Sequence, residues 1–85
     1  MRLCFAKDRL YIIEAGRNDP VQGRRVLVLS LQGDILQVVT HPTEPTAVFL
    51  SICCFDHKLL ASYHYHTESA GTRPIKYGML TLQGL

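Results

Sequence analysis

The stretch that decides the fold is VLVLSLQGDILQVV, residues 26–39. Two apolar runs flank Gln32-Gly33-Asp34, and a glycine there can adopt the positive φ that a short hairpin turn needs. In the first run, valines alternate with leucines, so apolar side chains point to both faces. Apolar residues on both faces are typical of an inner strand that is covered on each side. The stretch therefore predicts an antiparallel hairpin inside a sheet.

The rest of the chain alternates in the same way between β-prone runs and turn signals. The further β-prone runs are residues 9–15, 47–55, 58–66 and 75–82. The segments between them are polar and rich in Gly and Pro, which is typical of loops; they are GRNDPVQG (16–23), HPTEPT (41–46) and TESAGTRP (67–74). No segment combines a period of about 3.6 residues with caps at both ends. The sequence predicts an all-β fold of antiparallel strands.

The composition limits the class of protein. The chain has 85 residues, of which 47% are hydrophobic and 19% charged, with a net charge of +2. This composition excludes disorder, and the length allows one small domain whose solitary core would be marginal. The weak positive charge does not by itself predict a nucleic-acid partner, which a clustered basic face would.

The cysteines and the termini point to a reducing compartment. There are three cysteines, Cys4, Cys53 and Cys54, an odd number that does not form a disulfide framework. Adjacent cysteines on a strand point to opposite faces, so free thiols packed in the interior are expected. The chain has neither a signal-peptide pattern nor an apolar run of membrane-spanning length. We expect a cytoplasmic protein with no membrane association.

Two landmarks recur at a distance of about 50 residues, a period typical of repeat proteins. Cys4-Phe5 returns as Cys54-Phe55, and Leu31-Gln32-Gly33 returns as Leu82-Gln83-Gly84. Between the landmarks each unit has a charged turn, an apolar strand, a polar loop and a second apolar strand. Aligning the units pairs the following leucines: Leu10 with Leu60, Leu29 with Leu80, and Leu31 with Leu82. Units of this length with three or four antiparallel strands are typical of β-propeller blades.

The repeat divides the chain into two units and a connector. We expect a first blade-like repeat over residues 1–40, a connector containing two prolines over 41–46, and a second repeat over 47–85. The second repeat stops before a counterpart of ILQVV, its last strand. Two blades do not close a propeller, which has about 4–8. The alternative is a small closed β-barrel or sandwich.

The stretch Asp8–Val39 resembles blades of NHL-type β-propellers. LYIIEA, Arg25, VLVLSL, Gly33 and ILQVV stand where such blades have their first strand, arginine, second strand, glycine turn and last strand. SICCFDHKLLAS, residues 51–62, is similar to the opening of a WD-repeat blade, and the likeness extends more loosely to kelch blades. The pattern departs from the NHL type where Glu14 replaces the usual aspartate and where Pro74-Ile75 takes the place of the arginine in the second unit.

The resemblance implies a noncatalytic module that mediates protein–protein interaction, as a fragment or subunit of a propeller. Its partner would be another protein or further copies of the chain, which would complete the β-sheet assembly. Loops held by a rigid scaffold are where such proteins recognise partners. The binding surface is predicted in the loops 16–23 and 65–74 and at the following basic, acidic and polar residues: Arg17, Asn18, Asp19, Arg24, Arg25, Tyr65, Glu68 and Arg73.

Two alternative functions remain open at the level of sequence. Some NHL propellers bind RNA on a basic face, and Arg17, Arg24 and Arg25 would form that face here; RNA is the less favoured partner. His64 and His66 lie on one side of a strand and could bind a metal, whereas the simpler interpretation is that both face solvent. No nucleophile elbow or phosphate-binding loop is present in the sequence, so neither an enzyme nor a cofactor is expected.

Overall fold

The computed structural model describes residues 2–14, 23–66 and 75–84. These residues form seven β-strands, and no helix occurs among them. The strands are β1 (Leu3–Ala6), β2 (Arg9–Ile13), β3 (Val26–Leu29), β4 (Ile35–Val39), β5 (Val48–Phe55), β6 (Lys58–His66) and β7 (Ile75–Gly84). The predicted all-β fold is confirmed.

The strands form two separate antiparallel sheets. Sheet A has the order β1-β2-β3-β4, and sheet B has the order β5-β6-β7. Each strand pairs with its neighbour in the chain, so both sheets are simple meanders. Within the described ranges no strand of one sheet pairs with a strand of the other. The described strands do not close into the barrel that was one alternative. Two separate antiparallel sheets are compatible both with a pair of blade-like repeats and with the other alternative, a sandwich.

Both sheets begin with the same hairpin. Lys7 and Asp8 turn the chain between β1 and β2 with φ of 51° and 59°, and Asp56 and His57 do so between β5 and β6 with the same two values. Positive φ at both central residues matches the right-handed twist of the flanking strands. Because Asp56 occupies the position of Lys7, the two hairpins correspond at a spacing of 49 residues. The equivalent of Leu10 is therefore Leu59, and the predicted alignment with Leu60 is wrong by one residue.

The turn between β3 and β4 forms as predicted from Gly33. Gly33 has a φ of 91°, and its N–H donates to the Ser30 carbonyl at 3.0 Å. The Ser30 hydroxyl also accepts hydrogen bonds from the backbone N–H groups of Gln32 (3.2 Å) and Asp34 (3.1 Å). A short polar side chain at the strand end thus fixes the turn.

The second Leu-Gln-Gly does not repeat this turn. Leu82-Gln83-Gly84 lies inside β7, where Gln83 stands opposite Leu59 of β6. The equivalent of Leu27, which stands opposite Ile12, is Leu80, which stands opposite Ala61. The predicted equivalence of the two tripeptides, and with it the pairing of Leu29 with Leu80, is wrong, because Gln83 opposite Leu59 stands at the place of Leu29 opposite Leu10.

The two sheets pack face to face around one core. Strand β1 lies against β5, and the buried side chains between the sheets are Cys4, Tyr11, Ile13, Val26 and Val28 from sheet A and Phe49, Ile52, Leu59 and Ala61 from sheet B. We call these two contacting surfaces the inner faces. Strand alternation explains which side chains lie on the inner faces, since every second residue of a strand points to the same side. The prediction that valines 26 and 28 share one face is confirmed.

Gly23 allows the sheets to approach closely at one end. The Phe49 N–H donates to the Gly23 carbonyl at 2.8 Å, which joins the start of sheet B to the segment before β3. A Cβ at Gly23 would lie 3.0 Å from Val48 Cγ1 and 3.1 Å from the Phe49 carbonyl oxygen. With a φ of 90° as well, this position favours glycine over any other residue.

Candidate interaction surfaces

The face of sheet A that points away from sheet B is apolar. Residues directly opposite each other in an antiparallel pair share a face. By the pairing of the strands, this surface, which we call outer face A, contains Leu3, Phe5, Leu10, Ile12, Leu27, Leu29 and Val38. Leu3 is 49% exposed and Phe5 57% exposed. Outer face A is therefore an apolar surface open to solvent.

The corresponding surface of sheet B is mixed. Outer face B contains Ser51, Cys53, Lys58, Leu60, Ser62, His64, Tyr77, Met79 and Thr81. Tyr77 and Met79 are each 71% exposed. Ser51 and Ser62 satisfy each other through a hydroxyl–hydroxyl hydrogen bond of 2.8 Å.

A free-standing pair of sheets has polar residues on its outward sides. Outer face A carries apolar side chains instead, and outer face B combines the exposed Tyr77 and Met79 with polar residues. Soluble monomers rarely expose large contiguous apolar surfaces.

The hairpin equivalence relates the outer faces to the inner ones. The residues of outer face A correspond, at the spacing of 49, to buried or half-buried residues of the inner face of sheet B: Leu3 to Ile52, Phe5 to Cys54, Leu10 to Leu59 and Ile12 to Ala61. In the same way the inner face of sheet A corresponds to outer face B: Cys4 to Cys53, Tyr11 to Leu60 and Ile13 to Ser62. Each sheet buries the side that the other leaves exposed.

A cleft of about 400 Å³ lies beside the connector between the two sheets. We call it the loop cleft, and its lining residues are Arg24, Arg25, Thr40, His41, Pro42, Thr43, Glu44, Pro45 and Ala47. His41 organises this connector: its Nδ1 accepts hydrogen bonds from the backbone N–H groups of Thr43 (3.2 Å) and Glu44 (3.0 Å). The sequence pattern predicted residues 41–46 only as a connector and contained no signal that the His41 ring accepts these hydrogen bonds.

Aromatic contacts extend from the loop cleft along β6. The His41 and Tyr63 rings meet edge to face at 4.3 Å, and Tyr63 stacks on Tyr65 at 6.0 Å. Gly78 of β7 makes room for this group, since a Cβ there would lie 2.5 Å from the Tyr63 hydroxyl. Tyr65, a predicted binding residue, is thereby linked to the cleft that Arg24 and Arg25 line.

Arg24 and Arg25 both line the loop cleft but have different surroundings. Arg25 forms a two-pronged ion pair with the Glu14 carboxylate, and Arg24 is half-buried. The Glu14 carboxylate therefore holds the Arg25 guanidinium. The other predicted binding residues, Arg17, Asn18, Asp19, Glu68 and Arg73, lie outside the described residues.

The proposed metal ligands are only partly described. His64 lies on outer face B with its ring 6.1 Å from that of Tyr77. The backbone of His66 belongs to β6, while its side chain lies outside the described residues. In the part of the chain that the structure describes, no three His, Cys, Asp or Glu side chains are grouped to hold a metal ion.

A contact between thiols crosses the two inner faces. Cys4 Sγ of β1 lies 3.0 Å from Cys54 Sγ of β5. Burial, together with the hydrogen bond to Cys54, raises the pKa of the Cys4 thiol from 9.0 to about 12. The sequence showed both cysteines but contained no signal that they meet, since the contact depends on how the sheets stack.

Comparison with protein families, curated proteins and solved structures found no match for this chain. The described residues include no helix of the length and apolarity needed to cross a membrane.

Proposed function

We propose that this chain is a noncatalytic protein-interaction module of the β-propeller type, in which each sheet acts as one blade and further copies of the chain pack head to tail against the outer faces. The observation that carries the proposal is the exchange of faces between the sheets. Leu3 and Leu10 are exposed or half-buried on outer face A, whereas their equivalents Ile52 and Leu59 are buried at 1% and 0% exposure.

The occupant follows from the contact already present inside the chain. The inner face of sheet A packs against the inner face of sheet B. The residues of outer face B are equivalent to those of the inner face of sheet A, and the residues of outer face A are equivalent to those of the inner face of sheet B. A second copy that brings its outer face A onto outer face B of the first would repeat the same sheet-to-sheet contact. Such a contact joins two different surfaces, so it is heterologous and forms a ring when the rotation closes.

Ring closure sets the expected number of copies. Propellers have about 4–8 blades, so a chain that supplies two blades forms a ring of about two to four copies. With a chain mass of 9.6 kDa, the assembly would have a mass of about 19–38 kDa.

Multi-angle light scattering on three variants tests the proposal. Phe5→Lys places a charge on outer face A, Met79→Lys places one on outer face B, and Leu31→Lys changes an exposed residue of the β3–β4 turn as a control. We expect the wild type and Leu31→Lys to form rings and each face variant alone to be monomeric. An equimolar mixture of the two face variants should form dimers and nothing larger, because only one pair of intact faces remains.

Two results would overturn the proposal in different ways. A wild-type chain of 9.6 kDa at all concentrations would show that the outer faces do not bind copies of this chain. A single face variant that still dimerises would show that like faces pair, which contradicts the head-to-tail arrangement.

RNA binding is the alternative function, and a separate experiment tests it. Of the three arginines on which it rests, the structure describes Arg24 and Arg25. Arg25 is already paired with Glu14, which lowers the charge available to a phosphate backbone. Fluorescence anisotropy with a structured RNA at low salt would detect binding, and an affinity that falls linearly with salt on logarithmic axes would support it.

A further inference from the structure

Cys4 and Cys54 are two thiols in contact with each other, and the proposed head-to-tail assembly does not involve this contact. They come from strands β1 and β5, which lie against each other where the sheets meet, and their sulfur atoms are 3.0 Å apart. Both are free thiols, Cys4 buried at 7% exposure and Cys54 half-buried. The two sulfur atoms would have to approach by about 1 Å to reach the S–S distance of a disulfide, about 2.05 Å.

We propose that Cys4 and Cys54 form a redox modification site, at which a low-molecular-weight disulfide such as oxidised glutathione converts the two thiols into one intramolecular disulfide between the sheets. The proposal concerns the chain itself and holds whether or not copies assemble.

The reaction proceeds by two thiol–disulfide exchanges. The Cys54 thiolate attacks one sulfur of oxidised glutathione, whose S–S bond breaks and releases one glutathione thiolate. Cys54 is then a mixed disulfide. The Cys4 thiolate attacks Cys54 Sγ, forms the protein disulfide and releases the second glutathione. The protons of the two cysteines end on the two released thiolates, so two thiols are oxidised and one disulfide is reduced.

The order of the two exchanges follows from exposure. Cys54 is the more exposed of the pair, so it meets the oxidant first. Cys4 then reacts inside the core with the mixed disulfide at the neighbouring Cys54. This second step is intramolecular, so no reagent has to reach Cys4. Because burial raises the pKa of the Cys4 thiol, the thiolate is scarce near neutrality and the second exchange becomes faster as pH rises.

Cys53 is excluded by the geometry of the strand. It neighbours Cys54 in sequence, but it points to outer face B, opposite to the inner face that holds Cys4. Its own equivalent position in sheet A is that of Cys4, and the position equivalent to Cys54 is Phe5, which has no thiol. Oxidation should therefore consume two of the three thiols and leave Cys53 free.

Thiol counting on the full chain tests the site. Native protein is equilibrated with oxidised and reduced glutathione, quenched with acid, unfolded and titrated for free thiols, and the disulfide is located by peptide mapping. We expect the wild type to fall from three thiols to one, with a mass lower by two hydrogen atoms. Cys53→Ser is the matched control and should fall from two thiols to none.

Variants of the pair should behave differently. Neither Cys54→Ser nor Cys4→Ser should form an intramolecular disulfide, and Cys4→Ser should stop at a glutathione adduct on Cys54. A wild type that retains three thiols under strongly oxidising glutathione, or whose mapped disulfide contains Cys53, would overturn the proposal. If a variant does not fold, the disulfide map of the wild type is sufficient to support or overturn it.

Discussion

Sheets A and B start from the same hairpin, yet they bury opposite sides. Leu59 is fully buried between the sheets, whereas Leu10, at the equivalent place in sheet A, is only half-buried and faces outward. The two strands have similar apolar sequences, so local pattern does not decide which side is covered. The neighbouring sheet decides it, and a sheet that is apolar on both sides is suited to a neighbour on each side.

The largest expected difference between the sheets is in the free energy of unfolding that is lost when the equivalent leucines, Leu59 and Leu10, are truncated. Leu59→Ala creates a cavity in the core and should lower the free energy of unfolding by about 2–5 kcal/mol. Leu10→Ala removes a half-buried side chain and should cost about half as much or less. Urea unfolding would measure both, in the Met79→Lys background so that no second copy covers outer face A.

The same two leucine variants can also be compared in the chain that keeps Met79 and assembles. In the assembling chain, Leu10→Ala should also weaken the association between copies, because Leu10 would then lie in a contact equivalent to that of Leu59. Equal costs for the two leucines in the Met79→Lys background would contradict the assignment of inner and outer faces.

The strands were predictable from sequence because their signals are local. Alternation over residues 26–29 and the glycine at position 33 each act within a few residues, and the structure confirms both. The equivalence of the two Leu-Gln-Gly tripeptides was wrong because it depended on the register between strands. The second tripeptide lies in β7, paired with β6, at the place where β3 pairs with β2.

The next largest effect concerns the glycine where the two sheets come closest. Gly23→Ala should lower the free energy of unfolding by about 2–4 kcal/mol, since it adds a clash with Val48 and the Phe49 carbonyl to the cost of a positive φ. Gly33 has nearly the same φ of 91° with nothing within 4 Å of an added Cβ. Gly33→Ala should therefore cost only about 1–2 kcal/mol, and thermal unfolding of both variants measures the difference. Similar losses would show that the sheets do not approach at Gly23.

The candidate site was only partly accessible to sequence reasoning. Arg24 and Arg25 were predicted as binding residues by their charge and Tyr65 by its place at the start of a loop, and the structure connects them through His41 and Tyr63 around the loop cleft. The contact between Arg25 and Glu14 could not be predicted, because it joins residues on either side of a polar loop. Contacts between sheets, such as that of Cys4 with Cys54, depend on three-dimensional packing alone.

A smaller expected effect is the pH dependence of stability that the burial of Cys4 on the inner face of sheet A causes. The folded pKa of Cys4 is about 12 against 9.0 in the unfolded chain, so the folded state retains a proton that the unfolded state loses. Stability should therefore be unaffected by this group below pH 9.0 and decrease as pH rises from 9.0 towards 12. Burial also raises the pKa of Tyr11, which acts in the same direction.

Urea midpoints measured under reducing conditions across this range would show the decrease. Cys4→Ala should make the decrease shallower by removing one of the two groups, while Cys53→Ala on outer face B should leave its slope unchanged. An unchanged slope in Cys4→Ala would contradict the burial of Cys4 between the sheets.

The most direct test of the head-to-tail assembly uses the equivalence of the thiol positions. Cys4 meets Cys54 inside the chain, so Cys53 of one copy should meet position 5 of the next. In a Cys4→Ser/Cys54→Ser background, Phe5→Cys supplies that position with a thiol, and mild oxidation followed by non-reducing electrophoresis reports cross-linking. We predict covalent multimers of the chain that disappear when Cys53→Ser is added. Cross-linking that persists without Cys53, or none at all, would contradict the assembly.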